Sequence, residues 1–335
     1  MKHVSHILIY IIICVAHLSA SCTSGGKEGR KTVTAKVQSA PYELLVVADK
    51  DWLKSEAGQR LVEMVESPIE GLPQVEPNFR VTYINPYAFD GTFRTYANVV
   101  VAEVDKKHAE PAFLMQKNVY AQPQVLLYLY APDNAAFVQC VEENRQAILG
   151  MLNENEFVRE RALLKKHHSG AVMTQAKKQF GVSMLAPQDI DDLKTGKGFL
   201  WASASKQEFR QNVCLYTLPQ QDMTVERFVE LRDSVMKVNI PGGRDDQWME
   251  TDLRTVVTEV VSFEGKSVTA VRGLWDMRND AMGGPFVSYL YTDTLNSRVL
   301  VAEGFVFAPE EKKRPIVRQL EAALQTLSFV PDTHK

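Results

Sequence analysis

The sequence predicts an α+β protein built largely of antiparallel sheets with helices packed on one face, divided into two halves. Strands and helices alternate in the order βαββαβ in the first half and ββαββββα in the second. Of the 335 residues, 45% are hydrophobic and 24% are charged. These values are typical of a globular protein with a sizeable buried core.

The first half, residues 41–180, opens with a strand that is apolar on both faces. Asp51 is expected to cap the helix that follows, and a short helix is predicted over residues 111–118. The order of elements is that of a ferredoxin-like split unit. The four predicted strands cover residues 42–48, 79–84, 98–104 and 125–130.

Two helical segments end this half. The first follows Pro132-Asp133 and has apolar residues at three- and four-residue spacing. The second covers residues 156–180 and is interrupted near Ser169-Gly170. We expect these segments to connect the two halves.

The second half, residues 181–335, is predicted to form an antiparallel sheet with helices on one face. Thr224 is expected to cap the first of its two helices, and Ile316 and Leu320 lie on the apolar stripe of the last. The order resembles the small α/β sandwich of Mog-type and photosystem-II-extrinsic proteins, at the level of fold only. Strands are predicted at residues 199–202, 213–218, 255–263, 267–275, 286–291 and 298–307.

The N-terminus has the pattern of an exported lipoprotein. Residues 1–21 combine Lys2 with an apolar run that is too short to span a bilayer. Small residues then lead to Cys22, the expected site of lipid attachment, although the leucine of the motif lies one position further from the cysteine than is usual. Residues 22–40 hold no apolar cluster and are predicted to be a flexible tether. An ordinary secretion signal is the alternative.

Charge favours a membrane surface over nucleic acid as the neighbour of this chain. The tether carries four basic residues and one acidic residue, which suits an anionic lipid surface. The whole chain has a formal net charge of −3, so the body offers no basic footprint for nucleic acid. We expect a protein anchored to the outer membrane and facing the periplasm, with exposure at the cell surface left open.

Two cysteines, Cys140 and Cys214, belong to the body of the protein. An exported protein can form a disulfide, so these two are a candidate pair. Both lie on predicted apolar faces, and two buried free thiols are the alternative.

The sequence completes none of the familiar catalytic, cofactor or metal patterns that we compared with it. Gly265-Lys266-Ser267 lacks the earlier glycine and the strand-to-helix turn of a phosphate loop. Asp189, Asp191 and Asp192 lack the later ligands of an EF-hand calcium loop. We therefore predict neither a cofactor nor a metal.

One segment, residues 273–286, is a candidate ligand or partner loop. Its glycines and proline suit a hairpin connection, which is the structural interpretation. In the functional interpretation, the tryptophan offers a stacking face and the polar residues bind a ligand, because function often lies on such loops. Glu303, in a later strand, either closes a salt bridge or faces a cleft. The candidate residues of the segment itself are Trp275, Asp276, Arg278, Asn279, Asp280, Gly283, Gly284 and Pro285.

Three segments together carry a family resemblance: residues 71–79, 273–286 and 303–309. With the motif at Cys22, they resemble an uncharacterised lipoprotein family of Bacteroides-type bacteria, a domain of unknown function. The resemblance extends over nearly the whole chain after Cys22. It implies a lipid-anchored protein of the cell envelope and carries no assigned activity.

These observations leave three functional hypotheses. The leading one is a non-catalytic binding or assembly module that recognises another envelope protein or a glycan. The alternative is a hydrolase of an envelope glycan or peptidoglycan that uses Asp276, Asp280 and Glu303, since paired carboxylates leave no local motif. The third is a structural spacer without a ligand.

Overall fold

The structure, a computed structural model, describes residues 35–204 and 210–330. The predicted signal segment, Cys22 and most of the predicted tether lie outside these residues. None of the helices in the described ranges is long and apolar enough to cross a membrane. The described part has the mixed α+β composition that the sequence predicts.

The first half contains a five-stranded sheet with the strand order β3-β2-β4-β7-β5. Strands β3, β2, β4 and β7 run parallel, and only β5 is antiparallel to its neighbour. The ferredoxin-like arrangement is therefore not formed, because element order alone does not determine strand direction. The elements are β1 (Ala35–Lys36), β2 (Glu43–Val47), α1 (Glu56–Val65), β3 (Arg80–Ile84), β4 (Asn98–Val104), β5 (Ala112–Lys117), β6 (Ala121–Gln122), β7 (Val125–Ala131) and α2 (Asn134–Leu164).

Both faces of this sheet are covered. Helices α1 and α2 pack on the face that presents Val46 and Leu127, while 3-10 turns and loops cover the face that presents Leu45 and Leu126. Such alternation follows from the two-residue period of a strand.

Two local predictions for this half are wrong. The expected helix at 111–118 is the edge strand β5, which pairs with β7 through its backbone. The side chain of Ser55, not that of Asp51, caps α1 by accepting a hydrogen bond from the Gly58 N–H at 3.2 Å.

The second half contains a seven-stranded antiparallel sheet with the order β12-β13-β14-β15-β11-β10-β9. The predicted meander of four strands is confirmed as β12 to β15. The elements are α3 (Gly170–Phe180), β8 (Val182–Ser183), β9 (Ile190–Gly196), β10 (Phe199–Ala204), β11 (Arg210–Pro219), α4 (Val225–Asn239), β12 (Met249–Phe263), β13 (Lys266–Met277), β14 (Gly283–Asp293), β15 (Arg298–Phe307), α5 (Arg314–Gln325) and β16 (Ser328–Phe329).

Helices cover both faces of this sheet, which corrects the prediction of helices on one face. Helices α3 and α5 pack on the face that presents alternate strand residues such as Val213. Helix α4 packs on the opposite face, which presents the intervening strand residues such as Cys214. The strands are apolar on both sides, so each face needs a cover. Although α3 falls within residues 41–180, its apolar side chains join the second sheet.

The two halves meet along α2 and α5. Phe157 and Leu164 of α2 pack against Ala322 and Ala323 of α5. The Glu76 carboxylate of the first half accepts hydrogen bonds at the start of α5, from the backbone N–H groups of residues 313 (2.7 Å) and 314 (3.2 Å). A carboxylate at a helix N-terminus satisfies its free donors and opposes its positive dipole end.

Candidate functional site

The candidate loop is held in place by the segment that precedes β12. The Arg278 N–H donates to the Trp248 carbonyl at 2.9 Å, and Gln247 donates to the Asp280 carboxylate at 2.9 Å. Arg244 and Gln247 both donate to the carbonyl of Asn279, at 2.9 and 3.1 Å. The polar residues of the loop therefore already serve a structural role, although Arg278, Asn279 and Asp280 remain exposed.

Trp275 cannot stack on a ligand, which corrects its expected role. Its side chain is 1% exposed and packs edge-on against Phe305, with ring centroids 5.6 Å apart. Gly284 lies against the same ring, and an added Cβ there would overlap the carbonyl oxygen of Val306 in β15. Gly283, Gly284 and Pro285 begin β14, so the glycines allow close strand packing.

Glu303 forms a buried salt bridge, the first of its two predicted outcomes. Its carboxylate is 0% exposed and lies 2.7 Å from the guanidinium of Arg232, which is also 0% exposed. Tyr216 and Ser288 donate hydrogen bonds to it at 2.9 and 2.8 Å. Arg232 in turn donates to Thr251 at 2.8 Å. This cluster is fully partnered and closed to solvent.

The three acids of the hydrolase alternative do not line one cleft. Asp276 and Asp280 are exposed, whereas Glu303 is enclosed in the core between α4 and the sheet. Glycoside hydrolysis needs two carboxyl groups on either side of one open site, about 5–10 Å apart. Glu303 therefore cannot serve as one of the two carboxyl groups.

Cys140 and Cys214 are both free and buried, so the candidate disulfide is not formed. Cys140 lies on α2 of the first half, and Cys214 lies on β11 under α4 of the second. Burial raises the pKa of both thiols, which therefore act as small apolar side chains.

A groove between the halves is the site that sequence reasoning missed. One compartment, of about 330 Å³, is lined by Tyr42, Glu160, Gln211 and Arg314. A second, of about 610 Å³, has apolar walls from Leu163, Leu164 and Pro187. The two adjoin, because they share Asp189 and Gln319.

The smaller compartment contains polar groups that the protein leaves unsatisfied. Tyr42 is 3% exposed, yet its hydroxyl has no hydrogen-bond partner, and the same is true of the buried Nε of Arg314. Tyr42 also has a φ of 59°, which is unusual for an aromatic residue. Glu160 and Arg314 also line the compartment and form no ion pair with each other, and such charges beside a cavity indicate a place for a ligand.

No short motif could have revealed this groove. Its residues come from the start of β2, from α2, from the loop before β9, from β11 and from α5. Gln211 donates to the Asp189 carboxylate at 2.7 Å, which ties two of these elements together. Within residues 35–204 and 210–330, no three His, Cys, Asp or Glu side chains are grouped as metal ligands.

Comparison with known proteins supports a chain made of domains without an assigned role. Residues 38–165 match the model of a domain of unknown function (DUF8532), and residues 169–326 match another (DUF4837). The predicted resemblance to a domain of unknown function is thus confirmed, while the lipid anchor and the bacterial source stay predictions. Among curated proteins, none matches the chain.

Two solved structures are similar to part of the chain. The Saccharomyces cerevisiae Ran-binding protein Mog1p is 14% identical, with 45% of this chain and 90% of that chain covered and a TM-score of 0.31. A mutant of protein Mog1 is 13% identical, with 46% and 92% covered and a TM-score of 0.30.

Proposed function

We propose that this protein is a non-catalytic binding module of the cell envelope, anchored through a lipid on Cys22, and that it binds its ligand in the groove between its halves. The observation that carries the binding site is the pair of opposite charges, Glu160 and Arg314, that line the 330 Å³ compartment without forming an ion pair with each other. The lipid anchor is proposed from the sequence pattern at Cys22.

The contrast between the groove and the Glu303 cluster supports this choice. In the cluster, every charged and hydroxyl group has a partner from the protein, so nothing remains for a ligand to bind. In the groove, Glu160 and Arg314 line the compartment and no ion pair joins them. A ligand with charges of opposite sign can therefore pair with both groups.

The exposed part of the loop at residues 278–280 is the candidate surface for a second, protein partner. Two cations contact the ring of Trp248 there, with Lys237 3.9 Å and Arg278 4.8 Å from its centroid. A rigid surface that combines an aromatic ring with basic groups is suited to recognition by another envelope protein.

Native mass spectrometry of the protein purified from its own cells tests the groove. We expect the wild type to retain a small molecule that is lost from Gln319→Trp, which places a larger side chain where the two compartments adjoin. Leu295→Trp is the matched control, since Leu295 is 94% exposed and lies outside the lining of the groove. Loss from both variants, or from neither, would contradict a ligand site in the groove.

Metabolic labelling with a fatty acid tests the anchor. We expect label on the wild-type protein and none on Cys22→Ser, which should also leave the membrane fraction. Cys140→Ser is the control, because that thiol is buried on α2. Label that persists on Cys22→Ser would overturn the anchor without affecting the groove.

A further inference from the structure

Two opposite charges face the smaller compartment without pairing with each other. Glu160 of α2 and Arg314 of α5 both line it, and no ion pair joins them. Within the described part of the chain, no hydrogen bond reaches the Glu160 carboxylate, and the cation that acts on it, Arg159, is bound to Glu156 at 2.8 Å.

Arg314 is similarly short of a counterion. Its guanidinium donates to the carbonyl of Pro77 at 2.8 Å, but its Nε is buried and unpaired. The acid that acts on it, Glu76, already accepts the backbone N–H groups at the start of α5. Three charged residues line the compartment: Asp189 accepts a hydrogen bond from Gln211, whereas Glu160 and Arg314 retain bonding capacity for a ligand.

The pKa directions agree with this geometry. Burial raises the pKa of Glu160, and Arg159 offsets the effect only in part. Burial lowers the pKa of Arg314, and Glu76 offsets that only in part. Each shift disfavours the charged form of its group. A ligand group of opposite charge beside each of the two would reduce its pKa shift.

The size and walls of the groove limit what it can hold. A volume of about 330 Å³ lies at the lower end of small-molecule sites and excludes a folded partner. The adjoining compartment has an apolar part formed by Leu163, Leu164 and Pro187 beside polar and charged residues, and this part suits an apolar side chain that extends from the charged end of the ligand.

We infer that the groove binds a compact zwitterion, a free amino acid or short peptide with an apolar side chain. Its ammonium group would lie on Glu160, and its carboxylate would accept hydrogen bonds from the guanidinium of Arg314. The side chain would occupy the larger compartment. This inference rests on the proposed function, because it names the ligand class of the same groove.

Calorimetric titration of the full chain tests the inference with four probes: leucine, leucyl-leucine, N-acetyl-leucine and leucinamide. Leucine and the dipeptide distinguish the two sources of the zwitterion. The blocked analogues each lack one charge, and we expect each to bind about tenfold more weakly than leucine, or worse.

Two conservative variants connect the binding to named atoms. Glu160→Gln should weaken leucine binding about tenfold or more. Arg314→Lys should weaken it several-fold, because a lysine ammonium does not reproduce the guanidinium. Arg60→Lys is the control: the exposed Arg60 pairs with Glu63 at 2.9 Å outside the groove, and the change should leave leucine binding unaltered.

The outcomes separate this inference from the proposed function. Equal binding of leucine and its blocked analogues would overturn the zwitterion. So would no binding of leucine or leucyl-leucine, when native mass spectrometry still finds a ligand that Gln319→Trp loses; the proposed function would then stand. If no small molecule is retained by the wild type and none of the four probes binds, both fail.

Discussion

Removal of the Glu303 carboxylate should destabilise the protein more than most single changes. In Glu303→Leu, the guanidinium of Arg232 stays buried at 0% exposure without its counterion. The hydroxyl groups of Tyr216 and Ser288 lose their acceptor in the same step. A leucine side chain occupies nearly the same volume as that of glutamate, so the loss of stability is mainly electrostatic.

The magnitude follows from the contacts. Breaking one partner out of a buried ion pair costs about 3–5 kcal/mol, because an uncompensated charge remains. Two orphaned hydroxyls raise the total, although neighbouring contributions are not additive. We therefore expect a loss of about 4 kcal/mol or more, against a total stability of about 5–15 kcal/mol for a typical protein.

The double variant Arg232→Met/Glu303→Leu isolates the charge. Thr251 keeps its bond to Asp233 at 2.6 Å after Arg232 is removed, so few polar groups are left without partners. We expect the double variant to be more stable than Glu303→Leu alone. Urea unfolding followed by circular dichroism measures both. A loss below about 1 kcal/mol in the single variant would refute the reasoning, as would a double variant less stable than the single one.

Four other predictions follow from single sites. Gly284→Ala should destabilise the protein by overlap with Val306 in β15, whereas Gly150→Ala, an exposed helical site with open space, should stabilise it by up to about 1 kcal/mol; equal urea midpoints would contradict this. Cys140 and Cys214 should react with Ellman's reagent only after unfolding, and rapid native labelling would show that they are accessible. Glu76→Ala should lose about 1–2 kcal/mol by uncapping α5, and exposed Glu70→Ala close to nothing. Burial alone would raise the pKa of Glu321, but Arg272 and Arg318 outweigh it and hold the pKa below its usual value. The stability from this lowered pKa is present above about pH 4.3, the unfolded value, and is lost as the pH falls through the folded value; unfolding of Glu321→Gln, measured as a function of pH, should lack this loss.

Most elements of the fold can be predicted from the sequence, but their arrangement cannot. The predicted break near Ser169-Gly170 is confirmed, because the Ser169 side chain caps α3 with a bond to the Val172 N–H at 3.3 Å. Such caps are local and leave a local signature. Strand direction in the first sheet and the position of α4 depend on long-range packing. The edge strand β9 is not predicted from the sequence, because its two apolar residues, Ile190 and Leu193, do not follow the two-residue period of a strand.

The candidate site illustrates the limit more sharply. Residues 275–285 are unusual in composition and adjacent in sequence, and the sequence therefore predicts a ligand or partner loop. In the structure, Trp275 and Gly284 instead allow close packing between β13, β14 and β15. The groove assembles residues that are more than a hundred positions apart, such as Tyr42 and Arg314. No property of either residue alone marks it as functional. Only the fold brings them to one cavity.

Glu303 and Glu160 show why counting partners is more informative than residue type. Both are glutamates that lie in folded elements and face a cation of the same protein. Glu303 forms an ion pair with Arg232 and accepts two further hydrogen bonds, so its charge stabilises the packing of α4 on the sheet. Glu160 faces Arg314 across a cavity, and burial opposes its charged form. A desolvated carboxylate without an ion-pair partner destabilises the free protein. The Glu303 cluster has no such group, whereas in the groove the ammonium group of a zwitterion would pair with Glu160.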